Sequence, residues 1–238
     1  CSGCNFRLAK KDLLVVFLLS LLRATTSFSL LIAYQNIATG VASTIHFMYP
    51  LAVSLAMMFF FHEKKSLLVM LAVLMSLFGA ALLSSGELEA KSGDTIVGLV
   101  AACISVFSYG GYIIGVRTTR AAQINSTVLT CYVMGMGAVF YLIGAMATSG
   151  LHLVTDGYIW LIILGLALPA TAISNITLVR AIKYAGPTLT SILGAMEPLT
   201  AVVIGVFVFK ELFTLNSAIG ILLILLAVGM VVFRKQKS

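Results

Sequence analysis

The chain has 238 residues, of which 61% are hydrophobic and 10% are charged, and its formal net charge is +7. A soluble domain carries about 25% charged residues, so this composition excludes an ordinary soluble protein and is typical of an integral membrane protein. The basic residues lie between apolar runs and do not cluster with aromatic residues, which argues against nucleic acid as a partner and favours a lipid bilayer.

In chain order, the sequence contains eight apolar runs that are long enough, or nearly long enough, to cross a bilayer as helices. These runs span residues 13–33, 41–61, 67–83, 95–116, 126–148, 158–179, 187–209 and 213–233. The sequence therefore predicts an all-α, polytopic membrane protein with eight transmembrane helices.

The loops on the two sides of this predicted topology differ in Lys and Arg content. Twelve of these residues lie at the termini and in the second, fourth and sixth loops, whereas the other side carries only Lys91 and Lys210, together with most of the acidic residues. Loops rich in Lys and Arg stay on the cytoplasmic side of a membrane. We therefore expect a multi-pass protein of the cytoplasmic membrane with both termini in the cytoplasm.

The second and seventh runs repeat each other without a gap. Six identical residues of the second run recur 148 positions later, among them Pro50, which recurs as Pro198. The copies are five helices apart, an odd number, so they cross the membrane in opposite directions. Inverted repeats are the usual architecture of secondary transporters, which hold substrate near the bilayer midplane. We predict a partial first repeat of three helices at 1–94 and a second repeat of five helices at 95–238.

The seventh run carries Met196-Glu197-Pro198-Leu199 and ends in Lys210-Glu211, and a Gly-containing apolar run with a basic end follows. This pattern, echoed by Met48-Tyr49-Pro50-Leu51, resembles the drug/metabolite transporter superfamily, in particular its EamA-like members. The resemblance implies a ten-helix fold of two inverted five-helix units, of which this chain corresponds to helices three to ten, with the first two absent. It also implies export of a small organic metabolite or drug, with amino acids as candidate cargo.

Two residues of opposite charge lie near the middle of apolar runs, Arg23 in the first and Glu197 in the seventh. A charge in mid-membrane costs roughly 2.5 to 3.5 kcal/mol on insertion scales, so it marks a functional site by default. Their similar depth suggests a pair, either with each other or across a water-filled cavity. A purely structural ion pair is the alternative, and whether Glu197 carries protons stays open.

Further polar and aromatic residues lie on the same runs and on the fourth and sixth. Ser27 follows Arg23 by one helical turn, and Thr171 and Asn175 are also one turn apart, so each pair shares a helix face. A local hydrogen bond for the histidine and ordinary packing for the tyrosines are the alternatives. We predict a central solute site lined by Arg23, Ser27, His46, Tyr49, Tyr109, Tyr112, Thr171, Asn175 and Glu197, with helix kinks at Pro50 and Pro198.

The sequence lacks the motifs of catalytic and metal sites. His62-Glu63 begins an HExxH motif, but Ser66 stands where the second histidine belongs. We therefore predict a secondary transporter of a small-molecule solute that is not an enzyme and that uses no metal or cofactor. A non-transporting membrane scaffold or receptor is the alternative. Proton coupling and oligomerisation stay open.

Overall fold

The structure is a computed structural model that describes residues 8–63, 66–84, 93–147, 155–194, 196–207 and 214–236. Within these ranges the chain forms helices and no strand, so the predicted all-α class is confirmed. The predicted loop residues Lys64, Lys65, Lys91, Lys210 and Glu211 lie outside the described residues.

The helices follow the apolar runs closely. A 3-10 turn at Arg120–Gln123 precedes α6, and a π-helical stretch at Leu166–Ile173 connects α7 to α8. The α-helices are α1 Lys10–Asn36, α2 Thr39–His46, α3 Tyr49–Phe60, α4 Leu67–Ser84, α5 Thr95–Thr118, α6 Ser126–Ala147, α7 Gly157–Gly165, α8 Ser174–Ala185, α9 Pro187–Leu193, α10 Met196–Phe207 and α11 Leu215–Gln236.

Within the described ranges, five helical segments are long and apolar enough to cross a membrane. Two apolar helices are shorter, and the seventh predicted run is divided between α9 and α10. A multi-pass membrane protein is therefore confirmed, whereas the count of eight spans stays a prediction. The long segments are Lys10–Asn36, Thr39–Phe60, Thr95–Thr118, Ser126–Met146 and Gly157–Ala185, and the shorter helices are Leu67–Leu82 and Ala218–Met230.

The chain packs as two compact units. The first unit comprises Cys1–Ala24 and Gly115–Gly186, and the second comprises Thr25–Ile114 and Pro187–Ser238. Helices α1 and α5 each contribute to both units. This division differs from the sequence repeats, because each unit takes helices from both copies. The division into repeats at residues 1–94 and 95–238 therefore stays a prediction.

In the second unit, α4 and α11 pack closely along each other. A Cβ atom added to Gly79 would lie 2.8 Å from the backbone oxygen of Gly220 and 2.8 Å from Cγ1 of Ile224. Because a side chain at this position would clash, glycine allows the two backbones to approach, as small residues do at membrane helix interfaces. A buried apolar cluster extends this contact to α9 through Ala72, Val73, Ile192 and Ala227.

In the first unit, α6 packs against α8, and contacts at one end of these helices join three loop regions. Arg120 Nε lies 2.7 Å from Asp12 Oδ1 in an ion pair. Arg117 Nη1 donates to the carbonyl oxygen of Lys183 at 2.6 Å, and Lys183 Nζ donates to the carbonyl oxygen of Ile124. The predicted topology places all of these residues on the cytoplasmic side.

In the second unit, two further contacts also join residues that the predicted topology places on one side of the membrane. The hydroxyl of Thr188 donates to Glu63 Oε2 at 2.6 Å, and both residues belong to predicted cytoplasmic loops or helix ends. On the opposite side, the backbone N–H of Asp94 donates to Asn36 Oδ1 at 3.0 Å. Each of these contacts joins segments that the predicted topology places on one side of the membrane, so the contacts agree with the alternating direction of the helices.

Candidate functional site

Both runs that carry the repeated Met-X-Pro-Leu motif are interrupted just before its proline. Helix α2 gives way to α3 before Pro50, and α9 gives way to α10 before Pro198. Shifted by 148 positions, the two interruptions coincide to within one residue. Proline favours a break here because it lacks the N–H that would bond to the carbonyl four residues earlier. Equivalent positions of the two runs thus share a break between helices, and the inverted repeat itself stays a prediction.

The two interruptions lie against each other in the second unit. A Cβ atom built on Gly194, in the second interruption, would lie 1.8 Å from the hydroxyl oxygen of Tyr49 and 3.1 Å from its Cζ atom. Since real Cβ atoms do not approach other atoms so closely, the phenol of Tyr49 occupies the space that a side chain at position 194 would need. An aromatic residue of one interruption thus fills the gap in the other.

Four aromatic rings surround the first interruption, and we call them the aromatic cluster: His46, Tyr49, Tyr109 and Tyr112. The ring of Tyr49 meets that of Tyr109 edge-on at a centroid distance of 4.7 Å, and His46 lies 5.5 Å from each of them. Tyr109 stacks on Tyr112 at 6.4 Å. Edge-to-face and offset pairs stabilise by about 0.5 to 1.5 kcal/mol beyond their buried area. The second unit therefore brings four of the predicted site residues together.

A hydrogen bond sets the orientation of the His46 ring. Its Nδ1 atom lies 2.9 Å from Ser105 Oγ, and the Ser105 hydroxyl donates its proton to the carbonyl oxygen of Ala102 at 2.6 Å. A hydroxyl has one proton to donate, so Nδ1–H of His46 is the donor in the first bond. In the neutral imidazole, Nε2 is then the acceptor nitrogen. The cluster thus contains an oriented imidazole as well as phenol groups.

Glu197 lies in the first turn of α10, where the helix dipole stabilises a negative charge. Its side chain is exposed. The carboxylate also interacts electrostatically with the phenol of Tyr49. The second unit therefore places an acid near the aromatic cluster.

In the first unit, the half-buried Arg23 lies near the sixth run. Its Nη2 atom is 3.5 Å from Asn175 Oδ1, at the long end of hydrogen-bond distances. Asn175 is buried, and its Nδ2 group donates to the carbonyl oxygen of Thr171 at 2.7 Å. Arg23 and Asn175, which were predicted to share a depth, are thus in contact, whereas the pairing of Arg23 with Glu197 stays a prediction.

Asn175 is the second residue after the π-helical stretch Leu166–Ile173. Pro169 lies inside this stretch, and the hydroxyl of Thr171 donates to the carbonyl oxygen of Leu166, five residues earlier, at 3.1 Å. The sequence predicted one transmembrane run at 158–179 here, without a π-helical stretch. Wide π-helical turns occur frequently at functional sites, so this local geometry agrees with a role for Asn175. Thr171 itself is exposed.

Residues 96–233 of the chain match the model of the EamA-like transporter family. The chain belongs to the EamA-like transporter family. The predicted resemblance is thus confirmed, and with it membership of the drug/metabolite transporter superfamily. No curated protein matches the sequence. A crystal structure of a protein that is 18% identical matches with a TM-score of 0.81 over 98% of this chain and 80% of that chain, which shows a common fold.

The region of this EamA-like transporter that matches the family model contains only some of the predicted site residues. Tyr109, Asn175 and Glu197 lie within residues 96–233, whereas Arg23 and His46 precede them. The roles of all these residues therefore rest on the geometry of this chain and not on the family match.

The sequence analysis missed Ser105, which contacts the aromatic cluster through His46. One further aromatic residue of the fourth run, Phe107, lies outside the cluster. Ser105, Tyr109 and Tyr112 follow each other at i, i+4 and i+7, so helical spacing could have identified the serine. Phe107 is 73% exposed. Ser27 is half-buried in the part of α1 that belongs to the second unit. Among the described residues, no group of three or more His, Cys, Asp or Glu could hold a metal ion.

Proposed function

We propose that this EamA-like transporter moves a small organic solute across the cytoplasmic membrane by alternating access, with export as its direction. The observation that carries the proposal is the aromatic cluster at the paired interruptions, with the Glu197 carboxylate near Tyr49. Secondary transporters hold their substrates at discontinuous helices, because the unwound ends offer backbone groups to the solute. Family membership supports transport as the class of function.

The side chains of the second unit suit a solute with an apolar body and a positively charged or proton-donating group. Tyrosine rings bind cations through their faces, and the exposed carboxylate of Glu197 would add an opposite charge. We propose that Tyr109, Tyr112 and Tyr49 shape this region, and that Glu197 binds either the cationic group or a proton.

The first unit contains a cationic group, which suits a solute with a negative charge. The guanidinium of Arg23 would bind an anionic group, and its contact with Asn175 would hold it in place. We propose amino acids and related metabolites, the cargo that the family resemblance implies, as the first solutes to test. For the topology, we propose that both termini are cytoplasmic, which the Lys and Arg distribution and the contacts between same-side loops support.

The test is solute flux in proteoliposomes that contain the purified full chain, with a panel of amino acids, organic cations and carboxylates. We expect flux of at least one member of the panel, and we expect Arg23→Gln and Tyr109→Leu, which removes the aromatic ring, to reduce it about tenfold or more, the loss that corresponds to about 1.4 kcal/mol. Tyr158→Leu is the matched control, because Tyr158 is 71% exposed at the start of α7 and belongs to neither group of site residues.

Two outcomes would overturn the proposal. One is a folded, correctly inserted protein that moves no solute of the panel under any imposed gradient. The other is flux that responds equally to Tyr109→Leu and Tyr158→Leu, because the aromatic cluster would then have no role in binding.

A further inference from the structure

The first unit contains a cavity of about 350 Å³ where α6 begins and α8 ends. It is lined by residues of the end of α8 and of the chain just before and at the start of α6, among them Arg180, Lys183, Tyr184, Asn125 and Ser126. This cavity lies apart from Arg23 and Asn175 along the sixth run, since Arg180 follows Asn175 by more than one helical turn.

Among the described residues, no carboxylate pairs with the cationic groups of this cavity. Only two acidic residues lie in the first unit, Asp12 and Asp156. Asp12 pairs with Arg120 at 2.7 Å, and Asp156 caps the start of α7 by accepting from the N–H of Tyr158 at 2.8 Å. Neither lines the cavity. The positive charge of Arg180 and Lys183 is therefore available to an anion from outside the protein.

The lining side chains present hydrogen-bond donors in excess of acceptors. Lys183 uses one of its three N–H groups on the carbonyl oxygen of Ile124, and two remain. Asn125 accepts from the N–H of Thr127 at 2.9 Å through Oδ1, so its Nδ2 group keeps its donors. The guanidinium of Arg180 supplies a planar set of donors that matches phosphate geometry. A ligand with several negatively charged acceptor oxygens fits this lining.

The position of the cavity matches the depth of lipid headgroups. The predicted topology places the end of α8 and the start of α6 at the cytoplasmic face, and Tyr184 is 86% exposed there. Tyrosine is enriched at membrane interfaces, and basic pockets between helices on the cytoplasmic side bind anionic headgroups.

We infer that this cavity binds a phosphate group, supplied by the headgroup of an anionic phospholipid or by a free phosphate-bearing solute. The purified full chain in a neutral detergent tests this at constant ionic strength. One arm adds phosphatidylglycerol in mixed micelles, and the other adds inorganic phosphate. The readout in both arms is the concentration that gives half of the maximal rise in melting temperature.

Arg180→Gln is the main variant, because Arg180 is exposed and the change leaves the bond from Lys183 to Ile124 intact. We expect it to weaken binding about fivefold, as the loss of one basic residue near an anionic surface would. Arg180→Gln combined with Lys183→Gln should weaken binding further. Lys10→Gln combined with Lys11→Gln is the control, because it removes two exposed charges from the same predicted side, outside the cavity.

Binding in both arms that Arg180→Gln weakens more than the control supports a phosphate site open to either source. Binding in the lipid arm alone identifies the headgroup as the source, and binding in the phosphate arm alone identifies a free solute. Two results would overturn the inference: no saturable binding in either arm, or an equal loss of binding in the control variant, which would indicate general attraction to the basic face.

Discussion

The two copies of the repeated motif differ in one residue and in the surroundings of that residue. In the first copy, Tyr49 is 1% exposed and packs against the rings of both His46 and Tyr109. In the second copy, Glu197 occupies the equivalent position and is exposed in the first turn of α10. Similar backbone interruptions thus carry a buried aromatic side chain in one run and an accessible acid in the other.

This difference separates two tasks that one motif can perform. A buried ring that fills the gap of a neighbouring helix holds the interruptions together, because removing it leaves a cavity. An exposed carboxylate contributes little to packing, so its role lies elsewhere than in holding the helices together. We therefore expect substitutions at the first interruption to lower stability most, and substitutions at Glu197 to affect function with little change in stability.

The largest expected effect on stability is that of Tyr49→Ala. Removing a buried aromatic side chain costs about 3 to 5 kcal/mol of the free energy of unfolding. Glu197→Ala, at the equivalent position, should change it by less than about 0.5 kcal/mol, as exposed positions usually do. Unfolding by sodium dodecyl sulfate in mixed micelles measures both. Equal losses at the two positions would remove the distinction between a structural and a functional copy.

Gly194→Ala should have the next largest effect, because its Cβ atom would lie 1.8 Å from the hydroxyl oxygen of Tyr49. Overpacking of this kind costs about 1 to 3 kcal/mol. Tyr49→Phe removes that oxygen and leaves Cζ at 3.1 Å, so the double variant should be more stable than the sum of the single losses predicts.

The control for Gly194→Ala is Gly135→Ala on α6. A Cβ atom at Gly135 meets nothing within 4 Å, so the substitution should be neutral or stabilise the helix by up to about 1 kcal/mol. If Gly194→Ala is also neutral, the two interruptions do not touch as described.

Ser105→Ala should have a smaller effect, a loss of about 1 kcal/mol, because it removes the acceptor of the His46 Nδ1–H group. Ser108→Ala is the matched control on the same helix, since its hydroxyl donates to the carbonyl oxygen of Ile104 within α5 at 2.8 Å. Chemical unfolding of both variants gives the difference. A loss for Ser108→Ala as large as that for Ser105→Ala would contradict an orienting role for the serine.

The smallest expected change in stability is that of Glu197→Gln, within about 0.5 kcal/mol. If the carboxylate carries protons, this variant loses uphill transport driven by a pH gradient while the protein remains folded. Glu63→Gln is the control, because Glu63 is another exposed acid of the second unit and glutamine keeps an acceptor for Thr188. Proton-driven flux at the wild-type rate in Glu197→Gln would exclude proton transport by this residue.

Hydropathy predicted where the helices lie, because a helix that crosses lipid needs a continuous run of mostly apolar residues. The first run was predicted at 13–33 and α1 extends to Lys10–Asn36, since backbone hydrogen bonds continue past the apolar window. The interruptions could be anticipated from Pro50 and Pro198. The π-helical stretch around Pro169 could not, because proline indicates a disturbed helix without specifying which wider turn replaces the missing bond.

Depth along a helix can be read from a sequence more easily than rotation about its axis. Arg23 and Glu197 were matched by depth alone, and the described partner of Arg23 is Asn175, which depends on how α1 and the sixth run face each other. Spacing does carry rotational information within one helix. It unites Tyr109 with Tyr112 and sets Phe107 on another side, so the aromatic cluster was partly predictable and its contact with Gly194 was not.

Residue counting by 3.6 fails across Leu166–Ile173, because each turn of a π-helix closes on the fifth residue back. Side chains on α7 and α8 that α-helical spacing would place on one face therefore point in different directions, although they belong to one run. A single-residue deletion inside the stretch would bring the two halves back into step and would rotate the amide of Asn175 away from the guanidinium of Arg23. The wide turns of the π-helical stretch therefore set the direction in which the side chain of Asn175 points.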